Sequence, residues 1–157
     1  MVHVRFPQND KIEIWLGESK LYSNGATAMI DAISSVKAHI DAGFLSTQKV
    51  LLGPQIPKST PRYTEIVSIF KTQTSLDALL NSAVFAIGIL CDSASAKAAH
   101  AHNDDYRLAV RNELAGLSAR LKQSELHSTL KLVLIYIPLA GKKLLVQAFD
   151  DRLKGLQ

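Results

Sequence analysis

The chain has 157 residues with a net charge of +4, an excess that permits nucleic-acid binding but is too small to indicate it. Hydrophobic residues make up 47% and charged residues 20%, which is ordinary for one globular domain with a core. The single cysteine, Cys91, excludes an internal disulfide and is typical of a reducing compartment. No segment reaches the roughly 18 apolar residues of a membrane helix, and the N-terminus lacks a signal region. We therefore predict one cytoplasmic domain over residues 1–157, without a membrane segment.

A β-hairpin is predicted at the N-terminus, from residues 2–6 and 11–18. Apolar residues alternate with polar ones in both segments, and the turn between them contains Pro, Asn and Asp. In the predicted register Val4 faces Glu13, so the position opposite Glu18 falls before the first residue.

Beyond the hairpin, helical and strand patterns alternate. A helix is predicted first, with Ser23 or Asn24 as its N-cap, a stop at Gly43, and an apolar stripe of Met29, Ile30, Ile33, Val36 and Ile40. It is followed by a loop or edge piece at 50–56, a helix from Thr60 and a short helix capped by Ser75. A strand is predicted at 83–91, with a buried helix as the alternative, and then a loop or frayed turn at 94–102 and a helix from Asn103. A strand at 130–137, stopped by Pro138, precedes a last helix with Leu144, Leu145, Ala148, Phe149 and Leu153 inside. The segment 83–91 is continuously apolar, which predicts a central strand, and 130–137 is predicted to be a second buried strand parallel to it. The whole pattern predicts an α/β fold around one mixed sheet.

Glu18 and Lys20 are the main candidates for chemistry. They continue the alternation of Ile12, Ile14 and Leu16, so they fall on the apolar face of their strand, where charges are costly to desolvate. Glu-x-Lys at a strand end before a helix resembles the active site of restriction-endonuclease-like nucleases. There a carboxylate binds a divalent metal ion, and the lysine orients water or stabilises the phosphate in the transition state. The alternative is a surface ion pair.

Such sites normally take a second carboxylate from the neighbouring strand. Asp10 is the only aspartate before Glu18, and it lies in the turn at the wrong end of the hairpin. The sequence therefore predicts an incomplete metal site unless another segment supplies the acid.

Three other groups have functional and structural interpretations. His100 and His102, followed by two aspartates at 104–105, could bind zinc, although Asp104 also suits a helix start. Cys91 could be a nucleophile or a buried structural thiol. The lysine pair 142–143 at a helix start could contact phosphate or lie in solvent.

Three segments together resemble the HamA family, the nuclease-like component of the Hachiman anti-phage defence system. They are Ile14–Tyr22, Ala32–His39 and the strand end Leu90–Ser93, and the last strand and final helix are also similar. The resemblance implies a restriction-endonuclease-like core, Glu18 as metal ligand and Lys20 as catalytic lysine. It also implies magnesium or manganese as cofactor, DNA as substrate and a HamB-like helicase as partner.

The resemblance covers only the C-terminal part of a longer family member, whose upstream acid has no counterpart here. A second hypothesis follows, in which the chain is a non-catalytic subunit that binds a helicase or an additional N-terminal segment. An apolar surface should then remain around Trp15 and Val2. A third hypothesis is an unrelated α/β domain.

Overall fold

A computed structural model gives the fold and describes residues 2–7, 11–41 and 44–156. The strands are β1 (Val2–Arg5), β2 (Glu13–Tyr22), β3 (Ala83–Asp92) and β4 (Lys131–Leu139). The helices are α1 (Gly25–Asp41), α2 (Phe44–Leu52), α3 (Tyr63–Ile69), α4 (Leu76–Ser82), α5 (Ala94–Ala98), α6 (Asp104–Gln123), α7 (Leu126–Thr129) and α8 (Lys142–Lys154), with a 3₁₀ turn at Gly53–Gln55.

The strands form one mixed sheet in the order β1-β2-β3-β4. β1 pairs with β2 antiparallel, and the pairs β2–β3 and β3–β4 are parallel. The predicted α/β fold and the parallel pairing of the two late strands are confirmed. Parallel strands end at the same edge of a sheet, so the carboxyl ends of β2, β3 and β4 lie together.

The predicted register of the hairpin was wrong by one residue. Val4 pairs with Ile14 instead of Glu13, and Arg5 pairs with Glu13. Paired residues share a face of the sheet, so the observed register puts the apolar residues of both strands on the same face, whereas the predicted register would put them on opposite faces. The pairing reaches Val2 opposite Leu16, and none of the described residues of β1 lies opposite Glu18.

The core lies between one face of the sheet and two helices, α1 and α6. The sheet contributes Ile14, Ile87 and Ile89, all fully buried. α1 begins as predicted, with the Asn24 side chain accepting a hydrogen bond from the Thr27 amide. Its buried side chains are Ala28, Met29, Ala32 and Val36, whereas Ile30, predicted to lie on the stripe, is exposed.

Two local predictions in the middle of the chain were wrong. The segment predicted as a loop or edge piece at 50–56 is the end of α2 followed by the 3₁₀ turn, because the apolar residues 50–52 also suit a helix. The next helix begins at Tyr63 instead of Thr60, after Arg62 in a left-handed conformation with φ 56°. The predicted stop at Gly43 lies outside the described residues. Ser75 caps α4 as predicted.

The segment predicted as a loop or frayed turn at 94–102 contains the short helix α5, which the Ser93 hydroxyl caps by accepting from the Ala96 amide. β4 was expected to be buried and to stop at Pro138. It is an edge strand that continues to Leu139. An edge strand tolerates proline because one side of its backbone has no neighbouring strand.

The last helix was predicted to have its apolar residues inside, and this was wrong. α8 has no buried residue, and Leu144, Phe149 and Leu153 are 60–69% exposed. Helical periodicity indicates an apolar face but not the surface that covers it.

The sheet face opposite the core also carries uncovered apolar side chains. Leu21, Ile135 and Ile137 are exposed, and Trp15 on the same face is only partly buried. This agrees with the apolar surface expected around Trp15, while the Val2 side chain lies outside the described residues. Across the described ranges, we find no helix with the length and apolarity required to cross a membrane.

Candidate functional site

The two candidates, Glu18 and Lys20, lie in the second half of β2, which pairs with β3 through Glu18–Ile87 and Lys20–Ile89. Strand alternation puts their side chains, and that of Tyr22, on the face that packs against α1. Both charged side chains are largely enclosed, with exposed fractions of 22% for Glu18 and 19% for Lys20. The site therefore lies between β2 and α1, near the carboxyl edge of the parallel strands.

A second carboxylate reaches this site from α1. Lys20 Nζ lies 3.0 Å from Glu18 Oε1 and 3.1 Å from Asp31 Oδ2. Glu18 Oε1 and Asp31 Oδ2 therefore both contact the same ammonium group. Asp31 was not predicted, because the second acid was expected on the neighbouring strand.

Two hydroxyl groups hold the carboxylates in position. Tyr22 Oη donates a 2.7 Å hydrogen bond to Asp31 Oδ2, and Ser35 Oγ donates a 2.9 Å bond to Glu18 Oε1. Asp31 and Ser35 are one helical turn apart, so they face β2 together. The sequence signal was available, because the polar positions 31, 35 and 39 form a stripe beside the apolar stripe of α1.

The ionisation of the site follows from these contacts. Partial burial is the largest single influence on the pKa of Glu18, and it raises that pKa. Hydrogen bonds from Lys20 and Ser35, together with the charges of Lys20 and His39, lower the pKa by more. The pKa of Glu18 therefore lies below its usual value. Hydrogen bonds from Tyr22 and Lys20 lower the pKa of Asp31. Hydrogen bonds to Glu18 and Asp31 raise the pKa of Lys20. At neutral pH the site therefore holds two carboxylates around one ammonium group.

The donor set suits a hard divalent cation. Magnesium is usually bound by one or two carboxylates together with water and substrate phosphate oxygens. Glu18 and Asp31 supply two carboxylates, and Asp31 is 44% exposed, so water and substrate can reach it. Nowhere in the described segments do three or more His, Cys, Asp or Glu side chains form a metal-binding group.

Residues 100–105 are no exception, and their contacts are those of a helix start. The His102 ring lies against Tyr106, with centroids 4.9 Å apart, and Asp104 pairs with Arg107 at 3.0 Å. Asn103 caps α6 by accepting from the Tyr106 amide, as predicted. These residues form the start of a helix instead of a ligand set.

Cys91 is a buried thiol that ends β3 next to a hydrogen-bonded glutamate. Burial raises the pKa of the Cys91 thiol, which disfavours a nucleophilic thiolate. Beside it Glu113 accepts bonds from Ser93 Oγ at 2.7 Å, Ser95 Oγ at 2.8 Å and Tyr136 Oη at 2.7 Å. This network joins α6 to the ends of β3 and β4, and the sequence pattern did not reveal it.

Lys142 contacts Tyr22 of the candidate site, and no such contact is observed for Lys143. Lys142 Nζ lies 5.8 Å from the centroid of the Tyr22 ring, and its amide donates to the carboxylate of Asp92. Lys143 is exposed. Lys142 is therefore the lysine of this pair with an observed contact to a residue of the candidate site.

The fold and the Glu18–Lys20 pair define an α/β protein with the mixed sheet expected of a restriction-endonuclease-like core. Comparison with protein families gives the more specific assignment. The chain belongs to the HamA family, whose model matches residues 1–153. Membership of this family supports the assignment of the chain as a component of the Hachiman anti-phage defence system. Neither the curated proteins nor the solved structures gave a significant match.

Proposed function

We propose that this chain is a metal-dependent nuclease component that hydrolyses phosphodiester bonds of DNA. The observation that carries the proposal is the cluster of Glu18, Lys20 and a second carboxylate on one face of β2. A charged cluster between a strand and a helix is costly to desolvate, and such groups occur where chemistry needs them. Family membership supports the same conclusion.

Each residue of the pair has a distinct role in the proposed reaction. Glu18 would hold magnesium or manganese, and the bound cation would activate a water and neutralise charge on the phosphate. Lys20 has a raised pKa and stays protonated at neutral pH, so it acts as a positive charge beside the reacting phosphate instead of as a base.

Lys142 is the proposed contact to the DNA backbone near the site. Its ammonium group is close to Tyr22, which itself contacts the carboxylate cluster. Lysine binds phosphate as a point charge, and such contacts depend strongly on salt. Lys142→Ala should weaken DNA binding more than Lys143→Ala, the matched control one residue along the helix.

The test of the proposed activity is plasmid nicking with magnesium or manganese, repeated with EDTA. Glu18→Gln and Lys20→Ala should each reduce cleavage by about a hundredfold or more, since catalysis here is electrostatic and positional. Asp150→Asn, on exposed α8, is the charge-matched control and should retain activity. Cleavage that survives both substitutions would remove the pair from the mechanism.

A helicase-binding role is the second candidate, and the exposed surface of α8 favours it. The apolar side chains Leu144, Phe149 and Leu153 of this helix are uncovered in the chain by itself. Exposed apolar surfaces of this kind mark interfaces. We propose that a HamB-like helicase covers them, with or without catalysis at Glu18.

Copurification of the chain with a coexpressed HamB-like helicase tests this role. The double substitution Phe149→Glu, Leu153→Glu should abolish copurification, whereas Lys154→Glu on the same helix should not. An unchanged complex with the double variant would place the helicase interface elsewhere. Because the variants leave Glu18 intact, this result is independent of the nicking assay.

A further inference from the structure

We infer that Asp31 is the second carboxylate of the metal site built on Glu18, and that Lys20 competes with the metal ion for both carboxylates. The inference rests on the proposed function for the identity of the ligand. It replaces an acid from the neighbouring strand with one from the helix that follows β2.

The Lys20 ammonium group contacts both carboxylates. Lys20 Nζ is within 3.1 Å of an oxygen of each carboxylate. Both carboxylates attract a cation at the position of Lys20 Nζ. A divalent metal ion at that position is attracted more strongly than the singly charged ammonium group. The ammonium and the metal ion therefore use overlapping ligands.

A hydrogen bond holds the Asp31 carboxylate in place. Its carboxylate accepts from Tyr22 Oη at 2.7 Å, and Tyr22 belongs to the same strand as Glu18. Glu18 is held in turn by Ser35 of the helix that carries Asp31. Each carboxylate is thus oriented by a hydroxyl from the element opposite, which fixes their separation.

The cluster has more negative than positive charges, because two carboxylates surround one lysine. Affinity for divalent cations rises with the number of charged ligands, so both acids are needed, and the positive charge of Lys20 opposes binding.

The experiment measures metal binding without DNA, using Mn²⁺ alone. Electron paramagnetic resonance of free Mn²⁺ gives the affinity of the wild-type chain and of each variant. Asp31→Asn and Glu18→Gln should each weaken Mn²⁺ binding by about tenfold or more, because each removes a charged ligand. Lys20→Met should strengthen it several-fold, although the same change reduces cleavage in the proposed mechanism.

A second probe keeps the test valid if Asp31→Asn folds poorly. Tb³⁺ binds oxygen ligands, and a nearby tyrosine sensitises its emission, so Tyr22 should report metal bound at Asp31. Tyr22→Phe should abolish the sensitised emission while Mn²⁺ binding falls only a few-fold. Asp150→Asn is the control for a general loss of negative charge.

The outcomes separate this inference from the proposed function. Mn²⁺ binding that depends on Asp31 and increases in Lys20→Met supports the inference even if no DNA is cleaved. The inference is overturned if Asp31→Asn leaves both cleavage and Mn²⁺ affinity unchanged while Glu18→Gln abolishes cleavage. That result would leave the nuclease proposal intact. Absence of Mn²⁺ binding by the wild-type chain, or weaker binding in Lys20→Met, also overturns it.

Discussion

Ser35 Oγ donates a 2.9 Å hydrogen bond to Glu18 Oε1, joining α1 to β2 at the candidate site. Lys20 Nζ contacts the same oxygen at 3.0 Å, so one carboxylate oxygen receives both a neutral and a charged donor. The serine therefore limits how far the Glu18 side chain can rotate when the lysine contact is altered. It is a positioning residue in the proposed site.

Ser35→Ala should reduce cleavage by about tenfold while leaving most of the fold stability, since a lost hydrogen bond costs about 1 kcal/mol. The expected order of cleavage is wild type, then Ser35→Ala, then Glu18→Gln. Ser34→Ala is the matched control, because Ser34 is the adjacent serine and is exposed. Nicking rates and urea denaturation provide the two measurements. Equal effects of the two serine substitutions would show that the contact has no positioning role.

The sequence predicted half of this site because half of it lies on a strand. Period-two alternation places Glu18 and Lys20 on one face whatever the neighbouring elements are. Asp31 and Ser35 belong to the site because α1 packs on the sheet, and their positions depend on how α1 crosses β2 and β3. The helical spacing shows that they share a face of α1 but does not show that this face meets Glu18.

The limits of the fold prediction have a similar origin. The predicted hairpin register paired Val4 with the polar Glu13, although a shared apolar face requires Val4 to pair with an apolar residue, as it does with Ile14. The apolar stripe of α8 was assigned to the core because periodicity cannot distinguish a core from an uncovered surface. The elements with strong local signals, β3 and the cap of α6, were predicted to within a residue.

Glu113 should make the fold more stable at neutral than at acidic pH. Burial opposes its ionisation, but hydrogen bonds from Ser93, Tyr136 and Ser95 outweigh burial and lower the pKa of Glu113 from its usual 4.5. A lowered pKa in the folded state means that this stabilisation is complete above pH 4.5 and is lost as the pH falls through the folded-state value. Glu113→Gln should therefore cost about 1–3 kcal/mol at pH 7 and less in acid.

Chemical denaturation of wild type and Glu113→Gln at pH 7 and below pH 4 measures this difference. Asp105→Asn on the exposed start of α6 is the control for a general charge effect. A destabilisation by Glu113→Gln that is equally large at both pH values would contradict the argument, since the loss would not depend on ionisation of the carboxylate.

Apolar substitutions on α8 should have little effect on the stability of the chain by itself. Phe149 is 60% exposed, so Phe149→Ser should change the free energy of unfolding by less than about 1 kcal/mol. Ile87, fully buried in β3, provides the contrast, because Ile87→Ala should cost about 2–5 kcal/mol. Thermal or urea denaturation compares the two. A large loss in Phe149→Ser would mean that α8 packs on this chain in solution.

Gly25 and Gly116 should respond in opposite directions to replacement by alanine. A Cβ at Gly25 would lie 2.8 Å from Cys91 Sγ and 3.5 Å from a methyl group of Leu117. The first turn of α1 therefore approaches β3 as closely as glycine allows, and Gly25→Ala should cost about 1–3 kcal/mol through overpacking. A Cβ at Gly116 would meet nothing within 4 Å, so Gly116→Ala in α6 should stabilise the helix by about 0.5–1 kcal/mol.

Cys91→Ala provides the second arm of the Gly25 experiment, because it removes the sulfur that the new Cβ would meet. In a double-mutant cycle, Gly25→Ala should cost less in the Cys91→Ala background than in the wild type, with a coupling of about 1 kcal/mol. Urea denaturation of the wild type, the two single variants and the double variant gives the coupling energy. Additive effects of the two substitutions would show that the Sγ contact does not set the spacing between α1 and β3.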